Sequence, residues 1–487
     1  MRRLAAPPLA VALLLAAGCA TVPVREVFDE AAEVAAERTG EEIAWPEVSE
    51  EPAALDARVA ALLGRPLDAD AAARVALLNN RRLHARYAEL GRAAAARVQA
   101  GRPANPFVEA VARFRDGDGG APELELSIVQ EVLDLFLLPA RSRLAAVELE
   151  RAKLDLAAAA VDLAADTRRT FLRYQAERQL LELDRHALLA VEAAWEMAVQ
   201  LRRAGNLSEL DLLAERDFYE QVKLEVSRRE LAVADLRERL NERMGLWGER
   251  ATAWSAAERL PELPAEPAEP AVPEARAVER SLDVAAALLD FEAATRRAGV
   301  TRVTALVPEL EVGAEGEREV EEHPDGSTEK EWWIGPSVGF RLPLFDQGQP
   351  RRVAAQMEVR RRADELVALG VEVRAAARRA ATRAEFARQQ ALHVRDVVLP
   401  LRVAVSEETQ RHYNGMFVGV FQLLDAKRRE IEAARAYVTA LRDHWLARAA
   451  LDQIEAGRLP EGMGGGGEDD GGGGELLRGE GAEEEHG

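Results

Sequence analysis

The chain has one cysteine, Cys19, which excludes an intramolecular disulfide and any zinc site built on cysteine ligands. Aromatic residues make up only 5%. Ala, Leu, Glu and Arg dominate instead, a mixture that favours long helices over an all-β sandwich. Basic residues fall short of acidic ones, 64 against 85, and the net charge of -21 argues against nucleic acid as a partner. No apolar run reaches the about 20 residues of a membrane-spanning helix. At 487 residues the chain can bury a large core without disulfide or metal.

Catalytic signatures are also missing. The seven histidines (84, 186, 323, 393, 412, 444 and 486) form no HExxH or other close metal pattern, and no GxSxG, Walker or dinucleotide loop occurs. The sequence reads as a non-enzyme with no cofactor and no metal.

The start carries Arg2 and Arg3, an apolar run through Leu15, then Ala16-Ala17-Gly18-Cys19. Two arginines, a short apolar region and small residues fit an export signal. The position of Cys19 resembles a bacterial lipobox, with Leu15 one place earlier than the usual pattern. The resemblance implies a signal peptide over 1–18 and acylation of Cys19. The neighbouring Ala20 is not the aspartate that resembles an inner-membrane retention signal.

Prolines at 261, 264, 267, 270 and 273 make residues 261–273 an extended, polyproline-like connector. It separates two parts, 55–260 and 274–457, after a lipid-anchored segment over 19–54. In the first part, residues 73–101 read as a helix interrupted at Gly91 and ended by Pro103 and Pro106. Val108, Ala110 and Ala112 then alternate with Glu109 and Arg113, and after a short turn Leu124, Leu126 and Ile128 alternate with Glu125 and Ser127: a β-hairpin with one apolar face. The second part repeats this order. A helix over about 277–297 precedes Leu310, Val312 and Ala314, a charged loop over about 317–331, and then Ile334, Val338, Phe340 and Leu342. Each strand is long enough to cross a membrane if tilted, but neither hairpin could do so alone with its edges unpaired.

Long helices follow each hairpin. Residues 140–204 contain neither Gly nor Pro and would extend roughly 98 Å. Val147, Leu154 and Val161 form one line at spacing seven; Leu149, Leu156 and Leu163 form another, roughly 200° around the helix. Apolar lines on both flanks suit a helix with a neighbour on each side, as in a single-layered cylinder. Gly205-Asn206 reverses the first helix. Residues 349–399 form its counterpart, Pro400 allows a kink, and Asn414-Gly415 makes the second reversal. LDLLAE (210–215) and FQLLDA (421–426) occupy the same place after the two reversals. The chain is an internal duplication. Residues 458–487 are Gly- and Glu-rich and read as a disordered tail.

ALLNN with the downstream Pro103, PLFDQG (343–348), GNLSELDLLA (205–214) and YNGMFVGVFQLLDA (413–426), taken in order over about 55–457, resemble the TolC-like outer-membrane efflux proteins. That resemblance implies a mixed α/β membrane protein. A homotrimer would close a 12-stranded outer-membrane β-barrel, four strands per subunit, and continue it as a long periplasmic α-helical barrel. It implies a passive duct partnered by a periplasmic adaptor protein and an inner-membrane pump of RND or ABC type, with outer-membrane lipid around it. An acidic gate position of the family falls on Asp425. A second commonly acidic place is Gln422 here, and Asp211 is the analogue in the first part. The second reversal holds one residue more than the common pattern. The alternatives are a periplasmic adaptor, which should show lipoyl-like modules around one helical hairpin, and a structural coiled-coil protein, which would leave the alternating strands unused.

Overall fold

The computed structural model describes residues 21–46, 52–114, 122–264, 274–306, 309–322 and 328–460. Cys19 and the signal segment, most of the Pro-rich connector, the first outward turn and residues 461–487 lie outside the described residues.

In the first part the order is α1 (Val24–Thr39), α2 (Pro52–Leu63), α3 (Ala69–Asn79), α4 (Arg81–Ala100), β1 (Phe107–Arg113), β2 (Glu123–Glu131), α5 (Val132–Arg203), α6 (Glu209–Met244) and the short α7 (Glu249–Ala253). The second part has α8 (Glu274–Arg280), α9 (Leu282–Thr304), β3 (Leu310–Glu322), β4 (Thr328–Phe340), α10 (Gln349–His393), a π turn (Val394–Val398), α11 (Leu399–Asn414) and α12 (Val420–Glu455).

Several expected boundaries move. The first helix breaks at Asn80, not Gly91. Asn80 takes an extended backbone and its side chain accepts the Leu83 N–H at 3.0 Å, capping α4. Gly91 stays helical, and an added Cβ there would lie at ordinary contact distance, 3.6 Å from Val24 and 3.9 Å from Trp45, so the position does not demand glycine. The charged stretch expected as an outward loop is largely strand, since Glu317 pairs with Trp333 and Glu319 with Glu331. Its charges alternate across a ladder instead of looping out. Pro400 comes just after the π turn, with Leu399 between them. The wider turn relieves the carbonyl that a proline ring would otherwise strike, so the helix continues.

Two splices reveal the duplication in the backbone. The Asn80 amide donates to the Arg243 carbonyl at 2.7 Å, and Asn79 donates to Met244 and Gly245, each at 2.9 Å. α4 therefore continues end to end from α6. In the second part the Leu282 N–H donates to the Gly457 carbonyl at 2.8 Å, so α9 continues from α12. Gly245 (φ 64°) and Gly457 (φ 97°) are left-handed, and a Cβ there would fall 2.5 Å from Asn79 O and 2.4 Å from Arg280 O respectively. Only glycine fits either splice.

The helices form one layer in the order α4/α6, α5, α9/α12, α10/α11, with α5 packed against both spliced columns. On one face of this layer lie α1 and α3. Phe28, Tyr87, Ala157, Ala160 and Ala164 make one core there, and Leu67, Val75, Phe171, Leu240, Met244 and Trp254 make a second. The outer columns α6 and α10/α11 leave Leu224, Leu231, Val367, Val371 and Phe386 exposed.

The sheet runs β1-β2-β3-β4, antiparallel throughout. Its register lines Val108 with Ile128, Ala110 with Leu126, Ile128 with Ala314, Ala314 with Pro336 and Val312 with Val338. One face is thus a continuous apolar band, ending where Arg318 lies beside Trp332, 6.0 Å from its ring centre. From Phe340 back to Trp332 the band covers about 26 Å of strand. The other face carries Glu109, Arg113, Glu125, Ser127, Glu311, Glu315 and Glu317.

Candidate functional site

The helix reversals lie at the end of the layer remote from the sheet. At the first, Gly205 takes φ 77° and Leu207 tucks in, 8% exposed. Ser208 caps α6 by accepting the Asp211 N–H at 3.1 Å while its hydroxyl donates to the Asp211 carboxylate at 2.6 Å. Arg202 ties the end of α5 to Glu209 and to the Leu207 carbonyl, each at 3.0 Å. Asp211 is thereby engaged in the cap of its own helix.

At the second reversal Asn414 ends α11, Gly415 follows, and Met416 adopts φ 59°. Met416 and Phe417 are exposed. Gly419 stands at the N-cap of α12 without a side chain to accept a hydrogen bond. Asp425 and Gln422 are both exposed near this end of α12. Asp425 faces Arg429 at 2.9 Å, with both side chains about half exposed. At about 100° per residue, Gln422, Asp425 and Arg429 share a strip of α12 turned away from both neighbours.

The contacts that join the two hairpins involve residues the sequence reading did not single out. Glu177 and Asp184 stand seven apart on α5, and Arg428, Arg435 and Arg442 stand seven apart on α12. Asp184 is fully buried; it pairs with Arg435 at 2.6 Å and with Arg229 of α6. Glu177 pairs with Arg229 at 2.8 Å and lies 3.7 Å from Arg442. Burial opposes the charge on Arg229, but Asp184 and Glu177 more than offset it and hold its pKa above the ordinary arginine value. Nearer the reversals, Arg428 reaches across α5 to Glu215 of α6 at 2.9 Å and covers the Phe218 ring at 3.8 Å. Ala187, Ala190 and Ala194 of α5 lie beneath and leave room for this crossing. The signal was present as charge at spacing seven, opposite in sign on facing helices. A second line at the same spacing, Ala426, Ala433 and Ala440, is buried on α12.

Among the described residues, no cluster of three or more His, Cys, Asp or Glu could hold a metal. No described helix is long and apolar enough to cross a membrane.

No family profile matches the sequence, and no curated protein matches it. Solved structures do. The outer-membrane channel OprN is 19% identical, with a TM-score of 0.63 over 80% of this chain and 90% of that one. The outer membrane protein VceC of Vibrio cholerae is 15% identical, with a TM-score of 0.63 over 83% of this chain and 97% of that one. The open state of the MtrE outer membrane channel of Neisseria gonorrhoeae is 16% identical, with a TM-score of 0.62 over 80% and 89%. Four antiparallel strands joined to a single layer of long helices, nearly end to end with these chains, give this protein the fold of the TolC-type outer-membrane channels.

Proposed function

We propose that the chain is the channel subunit of a tripartite efflux or export system, a passive duct from the periplasm to the cell exterior. The observation that carries this is the open topology of both halves of the molecule. Strands β1 and β4 each have one paired neighbour in the described sheet, and the outer helix columns present apolar side chains. Three copies around an axis would pair β4 with the next β1, antiparallel as the alternation requires, and close 12 strands. The apolar band then faces lipid and the glutamate-rich face lines the bore. The same rotation covers the outer helix columns with one another and leaves α1 and α3 outside the helical cylinder.

Several parts of the proposal rest on the sequence. Acylation of Cys19 would add a lipid anchor in the outer membrane. Asp425 and Gln422 would line the periplasmic constriction three times over. A periplasmic adaptor and an inner-membrane pump would supply cargo and energy. Light scattering of the detergent-extracted protein tests the assembly, with a trimer that conducts ions in a planar bilayer as the expected result. A monomer that stays folded and never conducts would refute the duct.

A further inference from the structure

Charge along the helical layer is uneven, and one stretch runs against the acidity of the whole chain. Arg173 of α5 is exposed and makes no ion pair among the described residues. The charged groups that bear on it most are guanidiniums: Arg169 on its own helix, Arg442 on α12, and Arg243 and Arg239 one turn apart on α6. Partial desolvation, and after it these like charges, hold the Arg173 pKa below the ordinary arginine value.

Four of the five arginines have carboxylates. Arg169 and Arg243 share Asp166. Arg239 takes Asp235 at 2.8 Å. Arg442 takes Asp443 at 2.8 Å and lies 3.7 Å from Glu177, which Arg229 also holds. Five guanidiniums thus stand against Asp166, Asp235, Asp443 and the shared Glu177, a surplus of at least one positive charge per chain. Beside them Arg239 and Arg243 line an open cavity of about 510 Å³ with Arg82 and Arg86 of α4, against Asp166 and Glu242 in the same wall; Arg82 pairs with Glu242 at 2.8 Å and Arg86 with Glu89 at 2.9 Å.

The placement follows from helix geometry. At about 100° per residue, Ala157, Ala160, Ala164 and Phe171, which pack on α1 and α3, cluster on one side of α5, and Arg173 lies about 180° from them. If α1 and α3 are outside the cylinder, Arg173 looks into it.

We propose that this cluster is an oxyanion station on the wall of the duct, centred on Arg173, for solutes that carry phosphate or carboxylate groups. Its position in the bore rests on the duct reading; its ability to bind does not, because all five arginines come from one chain. A guanidinium fork holds a two-oxygen anion by paired hydrogen bonds that a spherical halide cannot reproduce. Arg169 and Arg243, which meet on Asp166, and the further forks on α5, α6 and α12 favour a polyvalent ligand.

Calorimetric titration of the full-length, detergent-extracted protein with inorganic pyrophosphate, citrate and chloride at constant ionic strength tests it. We expect pyrophosphate to bind and chloride not to. Citrate binding as well would extend the class to carboxylates, and pyrophosphate alone would restrict it to phosphates. Arg173→Gln should weaken pyrophosphate binding about tenfold, the loss of one charge-assisted contact, with the unfolding transition unchanged. Arg173→Lys should fall between, keeping charge without the fork. Arg239→Gln gives a second, independent loss. Absence of pyrophosphate binding in the parent, or binding in both glutamine variants equal to the parent's, overturns the station. A trimer that conducts but does not bind pyrophosphate sinks the station alone. Binding in a protein that never conducts sinks the duct reading and leaves the station.

Discussion

At the first reversal Ser208 caps α6, Asp211 locks the cap, Leu207 is buried and Arg202 clamps both strands of the turn. At the second, the corresponding cap is Gly419 with no acceptor, Met416 sits in the left-handed region that costs a side chain about 1 kcal/mol, and Phe417 stands in solvent. The helix leading to the second reversal also contains a π turn, whereas α5 has none. Two halves built on one plan therefore differ in how firmly their ends are held. The second hairpin is tied to the first through Arg428, Arg435 and Arg442.

Four experiments probe this difference between the two halves. The largest effect is expected from Asp184, fully buried and shared between Arg229 and Arg435. Asp184→Ala leaves two arginines facing each other and should cost about 3 kcal/mol in chemical unfolding; a cost near zero would mean the hairpins are not joined there. Next, Gly245→Ala and Gly457→Ala should each cost about 2 kcal/mol, from left-handed strain plus backbone overlap. Comparable losses would show that the two splices are equivalent. A large loss at one and none at the other would deny it.

The third experiment acts on the caps themselves. Ser208→Ala should destabilise the first reversal by about 1 kcal/mol. Gly419→Ser, at a backbone that any residue adopts (φ -81°, ψ 169°), should stabilise the second, needing only that the Gln422 side-chain end, 2.9 Å from the new Cβ, swing aside. If the looser reversal moves during conduction, Gly419→Ser should lower single-channel current fluctuations and Ser208→Ala should not. The smallest effect belongs to Asp425. Because Arg429 already faces it at 2.9 Å, Asp425→Ala should reduce cation preference only slightly, while Arg429→Ala should increase it more. Reversal potentials in a salt gradient give both, and equal values in all three proteins would remove this strip from the constriction.

Much of this architecture was legible because it is periodic. Alternation along 108–112 and 124–128 and along 310–314 marked the hairpins, and Gly205-Asn206 and Asn414-Gly415 marked the reversals. What escaped was decided by partners far away in the chain. The break at Asn80 depends on the carbonyl of Arg243, and no local signal separates it from Asn79. Glu317 and Glu319 look like loop residues until Trp333 and Glu331 pair with them. Asp184 and Arg435 are ordinary helical charges on their own helices, and their buried meeting exists only once the hairpins lie side by side. Asp425 was visible as an acid after a reversal; Arg429, four residues on, was equally visible and changes its meaning.

The unbroken span of α5 also sets a rule for how such a molecule can change length. Its 72 residues run about 108 Å and touch different partners on both flanks and on the face that carries α1 and α3. Removing one residue would swing everything beyond it by about 100°, turning Asp184 off its arginines and Arg173 into a neighbour. Seven residues restore the facing to within about 20°. A chain of this design can therefore be tailored to a deeper or shallower periplasm only in near-whole heptads, taken from or added to every column at the same height. The distance it bridges is quantised in steps of about 10 Å.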